Sequence, residues 1–183
     1  MKRWVIVAAL LVVIMAVAAP LFSWWERHRI VETIKFFPLD REAVFTEAKT
    51  TLVLGAKKER ERYTLRWSTT STLNRRAYLR QDISLLFADG RLIDVLSKWE
   101  TDVDTIRMEK TVMTHDSRFF QAITFHHGEL HKGEVITSSQ TMSSTYLYVI
   151  DSPYYPLTSF RRPKTDDERE WQRVLNKAAN EFL

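Results

Sequence analysis

Three of the five histidines of this chain lie close together in the segment TFHHGELHKGE, residues 124–134. Imidazole nitrogens bind zinc and other divalent metals, and the segment also holds two glutamates. Whether His126 and His131 can share an ion depends on where the hairpin turns. A turn at Gly128-Glu129 places the two residues opposite one another, with Cβ atoms about 5 Å apart, which permits joint ligation.

A second register turns at Lys132-Gly133. It pairs apolar residues along the whole hairpin: Leu130 with Val135, Ile123 with Met142 and Phe119 with Tyr146. His127 and His131 then share a face but lie four residues apart, about 13 Å at ~3.3 Å per residue, and His126 points to the other face. Because this register accounts for the apolar pairs, we favour it and predict no metal site and no cofactor, with His126 and His131 as the candidate ligands under the first register.

Common enzyme signatures are absent from the sequence. Glycine occurs at only four positions, which excludes a glycine-rich phosphate loop, and there is no cysteine to act as a thiolate nucleophile. The patterns G-x-S-x-G and H-E-x-x-H are also absent. We therefore expect a non-catalytic protein, and a metal- or carboxylate-dependent hydrolase assembled from distant residues is the alternative.

A basic stretch, residues 57–80, carries eight basic and two acidic side chains. Within it Tyr63, Leu65 and Trp67 alternate with polar residues, which predicts a half-buried strand with a cationic outer face. Such a face can meet an acidic protein or an anionic polymer, or simply protect the strand from aggregation. The candidate partner-binding residues of this stretch are Arg60, Arg62, Arg66, Arg75 and Arg76.

Tyr154 and Tyr155 lie between two prolines in the segment SPYYPLTSFRRP, which predicts a stiff loop. Aromatic residues on such loops often bind partners, so both tyrosines are second candidates for partner binding. The alternative interpretation is that they pack the loop onto the sheet.

The net charge of +4 does not indicate nucleic-acid binding. Lys2 and Arg3 precede an apolar segment, and the remainder of the chain carries 25 basic and 23 acidic residues. A nearly neutral domain lacks the electrostatic footprint of a phosphate-binding surface.

Residues 1–25 are long and apolar enough to span a membrane, with no charged side chain between Trp4 and Trp25. A signal peptide cleaved after Ala18 is one interpretation. An uncleaved anchor is favoured because the apolar run continues past that site, followed by a helical extension over residues 26–38. Basic residues flank both ends, so orientation rests on the export-like Met-Lys-Arg start. It places residues 39–183 outside the cytoplasm, and a reversed anchor with a cytoplasmic domain is the alternative.

The remaining pattern predicts an α+β domain. Asp40 and Gly55 mark the ends of a predicted helix, Asp89-Gly90 marks a hairpin, and Thr165 with Glu168 forms the capping box of a C-terminal helix. The predicted buried stripe of that last helix consists of Trp171, Val174, Leu175, Ala178 and Phe182. We expect one antiparallel, meander-like sheet packed by an N-terminal and a C-terminal helix.

Together these features predict a single-pass membrane protein of the cell envelope. Its domain is expected to act as a binding or regulatory module for another envelope protein or an anionic polymer.

Overall fold

A computed structural model describes residues 37–57 and 62–180. This part of the chain folds into six antiparallel strands and one helix. The strands are β1 (Phe45–Lys57), β2 (Tyr63–Ala88), β3 (Arg91–Thr114), β4 (Arg118–Lys132), β5 (Val135–Ser152) and β6 (Tyr155–Phe160), followed by the helix α1 (Asp166–Asn180).

The long strand β2 organises the sheet. One of its edges pairs with β3, while the other pairs with β1 over its first half and with β4 over its second half. β5 then pairs with β4, and β6 with β5. An irregularity between Thr72 and Ala77 inserts extra residues into β2, and such bulges increase strand twist and bending. The sheet curls into a nearly closed barrel.

The barrel closes where the edge of β1 approaches β5. Side chains join the two strands at this seam: Thr50 Oγ1 lies 2.6 Å from Ser143 Oγ, and Lys57 Nζ lies 2.8 Å from Asp151 Oδ1. From the first contact to the second the residue numbers increase along both strands, so β1 and β5 lie parallel to one another at this seam. The seam is therefore held by side chains.

Alternation of side chains along β2 fills the barrel interior. Tyr63, Leu65 and Trp67 are fully buried, as the sequence predicted, while Arg66 between them faces outward. They pack with Leu86 and with apolar residues of the other strands. The remaining buried members of this core are Leu52, Ala88, Phe120, Ala122, Leu147 and Val149.

The predicted α+β class is wrong, because strands make up 74% of the structure and the helix at the C-terminus is short. The predicted N-terminal helix of the domain is instead a turn followed by β1. Asp40 Oδ1 does accept hydrogen bonds from the backbone N–H groups of Glu42 and Ala43, at 2.9 and 3.1 Å, as an N-cap would. The chain then extends because the run from Thr50 to Leu54 pairs with β2.

Two further predictions about the sheet are also wrong. β3 does not lie between β2 and β4, so the sheet is not a simple meander. The segment predicted as a proline-rich loop contains the strand β6, in which Ser159 pairs with Val149 of β5. β4 pairs with the edge of β2 that β3 does not occupy, a contact between strands distant in sequence. β6 is an edge strand, a position where Pro156 is tolerated.

The turns agree more closely with the sequence. Asp89 and Gly90 have φ angles of 50° and 79°, as a two-residue turn requires. Phe87 pairs with Leu92, and a register shift then places Leu86 opposite Asp94. Gly90 also lies under the end of α1, where an added Cβ atom would stand 2.8 Å from the carbonyl oxygen of Ala179.

α1 has the predicted capping box. The backbone N–H of Glu168 donates to Thr165 Oγ1 at 3.2 Å, and Glu168 Oε2 accepts from the backbone N–H of Thr165 at 3.3 Å. The buried stripe agrees with the prediction at Leu175 and differs elsewhere, because Ala179 is buried whereas Val174 is 51% exposed. The predicted Phe182 lies outside the described residues.

The described residues contain no helix that is long and apolar enough to cross a membrane. The predicted anchor, residues 1–25, and most of its predicted extension, residues 26–38, lie outside that part of the chain. Phe37 and Pro38, the last two residues of the extension, are not helical.

Candidate functional site

The structure does not bring His126 and His131 together. The hairpin turns at Gly133-Glu134, so Lys132 pairs with Val135. The turn at Gly128-Glu129 does not form, and the favoured register was itself wrong by two residues. His126 points into the barrel, whereas His131 lies outside, where its ring stacks on Tyr78 at 3.9 Å between centroids. The described residues contain no cluster of three or more groups that could hold a metal.

The predicted arginines lie at different places. Arg75 Nη1 is 3.5 Å from Glu42 Oε2, and Arg76 Nη1 is 2.9 Å from Asp102 Oδ2. Arg66 is exposed on the outer face of β2, and Arg62 lines a cleft of about 500 Å³ at one end of the barrel, together with Lys57, His115, Asp116 and Asp151. Arg60 lies outside the described residues.

The two predicted tyrosines also differ from one another. Tyr154 is 88% exposed, whereas Tyr155 begins β6 and packs edge-on against Trp171 of α1. Of the two tyrosines, Tyr155 therefore packs against another element of the fold, whereas Tyr154 is almost fully exposed to solvent.

Sequence reasoning missed a chain of buried polar side chains that runs through the barrel. His126 Nδ1 lies 2.7 Å from Asp82 Oδ2, and His126 Nε2 lies 2.9 Å from Ser143 Oγ. From Ser143 the contacts continue at 2.6 Å each through Thr50, Thr124 and Ser84. The last contact is made by the indole N–H of Trp67, which donates to Ser84 Oγ at 3.1 Å.

Chemistry fixes the direction of the hydrogen bond at each end of this chain. The indole N–H of Trp67 is only a donor, so Ser84 Oγ accepts from it. A carboxylate oxygen is an acceptor, so the proton between His126 and Asp82 lies on His126 Nδ1. Between these ends each hydroxyl can donate or accept.

Arg80 supplies the balancing charge for Asp82. Its Nη2 lies 3.5 Å from Asp82 Oδ1, and both side chains are fully buried. The guanidinium also donates to Ser71 Oγ at 2.6 Å and to the carbonyl oxygens of His127 and Asp104. Burial lowers the pKa of Arg80, and the carboxylate of Asp82 opposes that effect. Burial also lowers the pKa of His127, which favours the neutral form of that ring.

Asp82, His126 and Ser143 contact one another in the order of the acid, base and hydroxyl of a nucleophilic serine site. Such a site also needs space for a substrate carbonyl beside the hydroxyl. Here Thr50 Oγ1 is already 2.6 Å from Ser143 Oγ, and the side chains of Asp82 and His126 have no solvent exposure. The geometry therefore fits a hydrogen-bonded interior that specifies how the strands pack.

A large apolar surface lies on the opposite, outward side of the same strands. We define the open face as Ile83 and Leu85 of β2, Val95 and Trp99 of β3, Ile123 and Phe125 of β4, and Met142 of β5. These residues form cross-strand rows, because Ile83 pairs with Phe125, Phe125 with Met142, and Leu85 with both Val95 and Ile123.

The open face is strongly exposed for an apolar surface. Trp99, Phe125 and Met142 are 57%, 51% and 59% exposed. Between β4 and β5 the surface has a hollow of about 310 Å³ whose lining includes Phe125, His127 and Met142. Contiguous exposed apolar residues of this kind mark interaction surfaces.

α1 covers the other end of the same side of the sheet. Its Leu175 is buried with Tyr148 and Phe160, and Phe119 and Trp171 pack against this cluster. Phe119 lies on β4 with the same outward parity as Ile123 and Phe125. The open face is thus the uncovered continuation of a surface that already receives one amphipathic helix.

The fold and these surfaces define a nearly closed antiparallel barrel with one C-terminal helix and an exposed apolar face. The chain matches no protein-family model, no curated protein and no solved structure.

Proposed function

We propose that this chain is a membrane-anchored, non-catalytic binding module of the cell envelope that binds an amphipathic helix of a partner protein through its open face. The observation that carries the proposal is the set of cross-strand apolar rows left uncovered beside α1. The anchor and the extracytoplasmic placement rest on the sequence of residues 1–25.

A helix is the occupant favoured by the surroundings. α1 shows the chemistry that this side of the sheet accepts: apolar residues on the helix contact aromatic residues of β4 and β5. The mixed polar and apolar lining of the adjacent hollow, which includes Gln140 and His127 beside Phe125 and Met142, suits an amphipathic helix better than a wholly apolar one.

A protein partner is favoured over an anionic polymer. A polymer would need a continuous cationic surface, and two of the five predicted arginines, Arg75 and Arg76, have acidic partners. Reversing the charges of Arg62 and Arg66 tests that alternative directly, since binding to a polymer would then be lost while binding through the open face would persist.

Site-specific photocrosslinking tests the proposal in intact membranes. A photoreactive phenylalanine analogue replaces Phe125 in the full chain, and the crosslinked peptide is sequenced. The expected result is one identified protein, joined through an amphipathic helical segment. Crosslinks that reach only lipid, or that scatter over many proteins, would overturn the proposal.

A matched pair of variants provides the control. In an equivalent chain crosslinked at Ile123, Met142→Ser should remove the crosslink to the same segment. Val53→Ser should not, because Val53 is a comparably exposed strand residue, at 42%, on β1 outside the open face. Equal loss in both variants would contradict binding through the open face.

Orientation has its own test. Alkaline phosphatase fused after Leu183 should be active if the domain lies outside the cytoplasm. An inactive phosphatase together with an active cytosolic reporter at the same position would establish the reversed anchor.

A further inference from the structure

A cleft that is separate from the open face lies where β6 meets the beginning of α1. It has a volume of about 330 Å³ and is lined by Tyr155, Asp167, Glu170, Trp171 and Val174. The ring centroids of Tyr155 and Trp171 are 6.4 Å apart and their planes are at 90°. Two walls of the cleft are therefore aromatic rings set at a right angle.

The helix supplies the other walls by its periodicity. Residues spaced three, four and seven apart lie on one side of a helix, which places Asp167, Glu170, Trp171 and Val174 together. β6 then brings Tyr155 against this side. The capping box at Thr165 and Glu168 fixes where the helix begins and so fixes the position of the carboxylates relative to the rings.

The chemistry of the cleft favours a cation. Ring faces carry negative potential that attracts organic cations, and two carboxylates stand beside them. Glu170 is partly neutralised because its Oε2 lies 3.2 Å from Arg173 Nη1. The positive end of the helix dipole amounts to about half a charge, which the Asp167 carboxylate outweighs. The basic residues that follow β6, including Arg161 and Lys164, line a different cleft.

The apolar walls select among cations. A primary ammonium is strongly hydrated, and the two ring faces and the side chain of Val174 offer it no strong hydrogen-bond acceptor in return for lost water. A methylated ammonium is weakly hydrated and can contact both rings and the side chain of Val174. We propose that the cleft binds a quaternary ammonium group of the trimethylammonium type.

NMR titration of the full chain in a maltoside detergent tests this inference with three ligands. Choline is expected to bind in the millimolar range. Its neutral isostere 3,3-dimethylbutanol should bind about tenfold more weakly, because it lacks the charge. Lysine methyl ester should also bind more weakly than choline. Equal binding of choline and the isostere, or no saturation by choline at 100 mM or so, would overturn the proposal.

Two tyrosine variants locate the site. Tyr155→Leu keeps an apolar side chain, so the fold should be retained, and choline binding should fall by about tenfold. Tyr154→Leu is the matched control and should bind choline like the parent chain, since Tyr154 does not line the cleft. Loss in both variants, or in neither, contradicts the assignment.

The source of the ammonium group is distinguished by comparing choline with a water-soluble, short-chain phosphatidylcholine. Tighter binding of the phospholipid would assign the site to a lipid headgroup, and tighter binding of choline would assign it to a free solute. Crosslinking at the open face should be unchanged in Tyr155→Leu. The two proposals can therefore fail separately.

Discussion

Ser143→Ala tests whether the buried polar chain is continuous. The substitution removes the hydroxyl that is hydrogen-bonded to His126 Nε2, at 2.9 Å, and to Thr50 Oγ1, at 2.6 Å. Each buried group left without a partner costs about 1–3 kcal/mol. The Thr50 hydroxyl can turn partly toward the carbonyl oxygen of residue 143, 3.5 Å away, which reduces its share. We therefore expect a loss of about 2–4 kcal/mol in the free energy of unfolding.

Equilibrium urea unfolding of the full chain in detergent, followed by tryptophan fluorescence, measures this loss. Ser144→Ala is the matched control, because Ser144 is exposed on the outer side of the same strand, and it should change stability by less than about 0.5 kcal/mol. Combining Ser143→Ala with Thr50→Val should cost less than the sum of the single changes, because the two hydroxyls share a bond.

The refuting results are specific. A loss below about 0.5 kcal/mol for Ser143→Ala, or strict additivity with Thr50→Val, would show that the hydroxyl chain does not contribute as described. Nitrogen NMR of His126 gives a second check. The acceptor carboxylate of Asp82 requires a proton on His126 Nδ1, so a ring protonated only on Nε2 would contradict the reasoning.

Three further predictions follow from single contacts. Gly128→Val should destabilise the barrel by about 1–3 kcal/mol, because even a Cβ atom at position 128 would lie 3.2–3.3 Å from Leu73 and Arg80, and thermal unfolding measures the loss. The pKa of Asp40 is held well below its usual value by the backbone N–H of Glu42, and then by the side chains of Lys132 and Thr137. Its contribution to stability is therefore full above about pH 4 and is lost as the pH falls further, and Asp40→Asn should weaken this acid dependence in urea titrations at pH 2–6. Thr165→Ala should cost about 1 kcal/mol through loss of the helix cap, whereas an unchanged melting temperature would show that the cap contributes little.

Features encoded by neighbouring residues could be predicted from the sequence. Asp89-Gly90 specifies a two-residue turn because both positions need positive φ, and Thr165 with Glu168 specifies the start of a helix because their bonds span three residues. The alternation around Leu65 gave the correct buried face of β2 for the same reason. Each of these depends on geometry that is complete within a few residues.

Features that depend on distant partners could not be predicted. Asp40 and Gly55 are residues that typically mark the two ends of a helix. Residues 45–57 nevertheless pair with β2 and therefore form a strand. His126 attracted attention as a metal ligand because of its neighbours in sequence, whereas its actual partners, Asp82 and Ser143, are 44 and 17 residues away. A signal for the polar interior was present in β2, where Asp82 and Ser84 alternate with Ile83 and Leu85, although that pattern is also typical of an exposed strand.

The sequence by itself determined the Asp89-Gly90 turn, the helix cap, the buried face of β2 before its bulge and the apolar character of residues 1–25, since these depend on nearest neighbours and composition. The tertiary structure alone decided which side of each strand faces the barrel interior beyond the bulge in β2. That choice of side buries Asp82 and His126, directs the half-buried Ser143 toward them, and leaves Phe125 and Met142 outside. Because side chains alternate along a strand, a shift of one residue would exchange the buried polar chain and the open face.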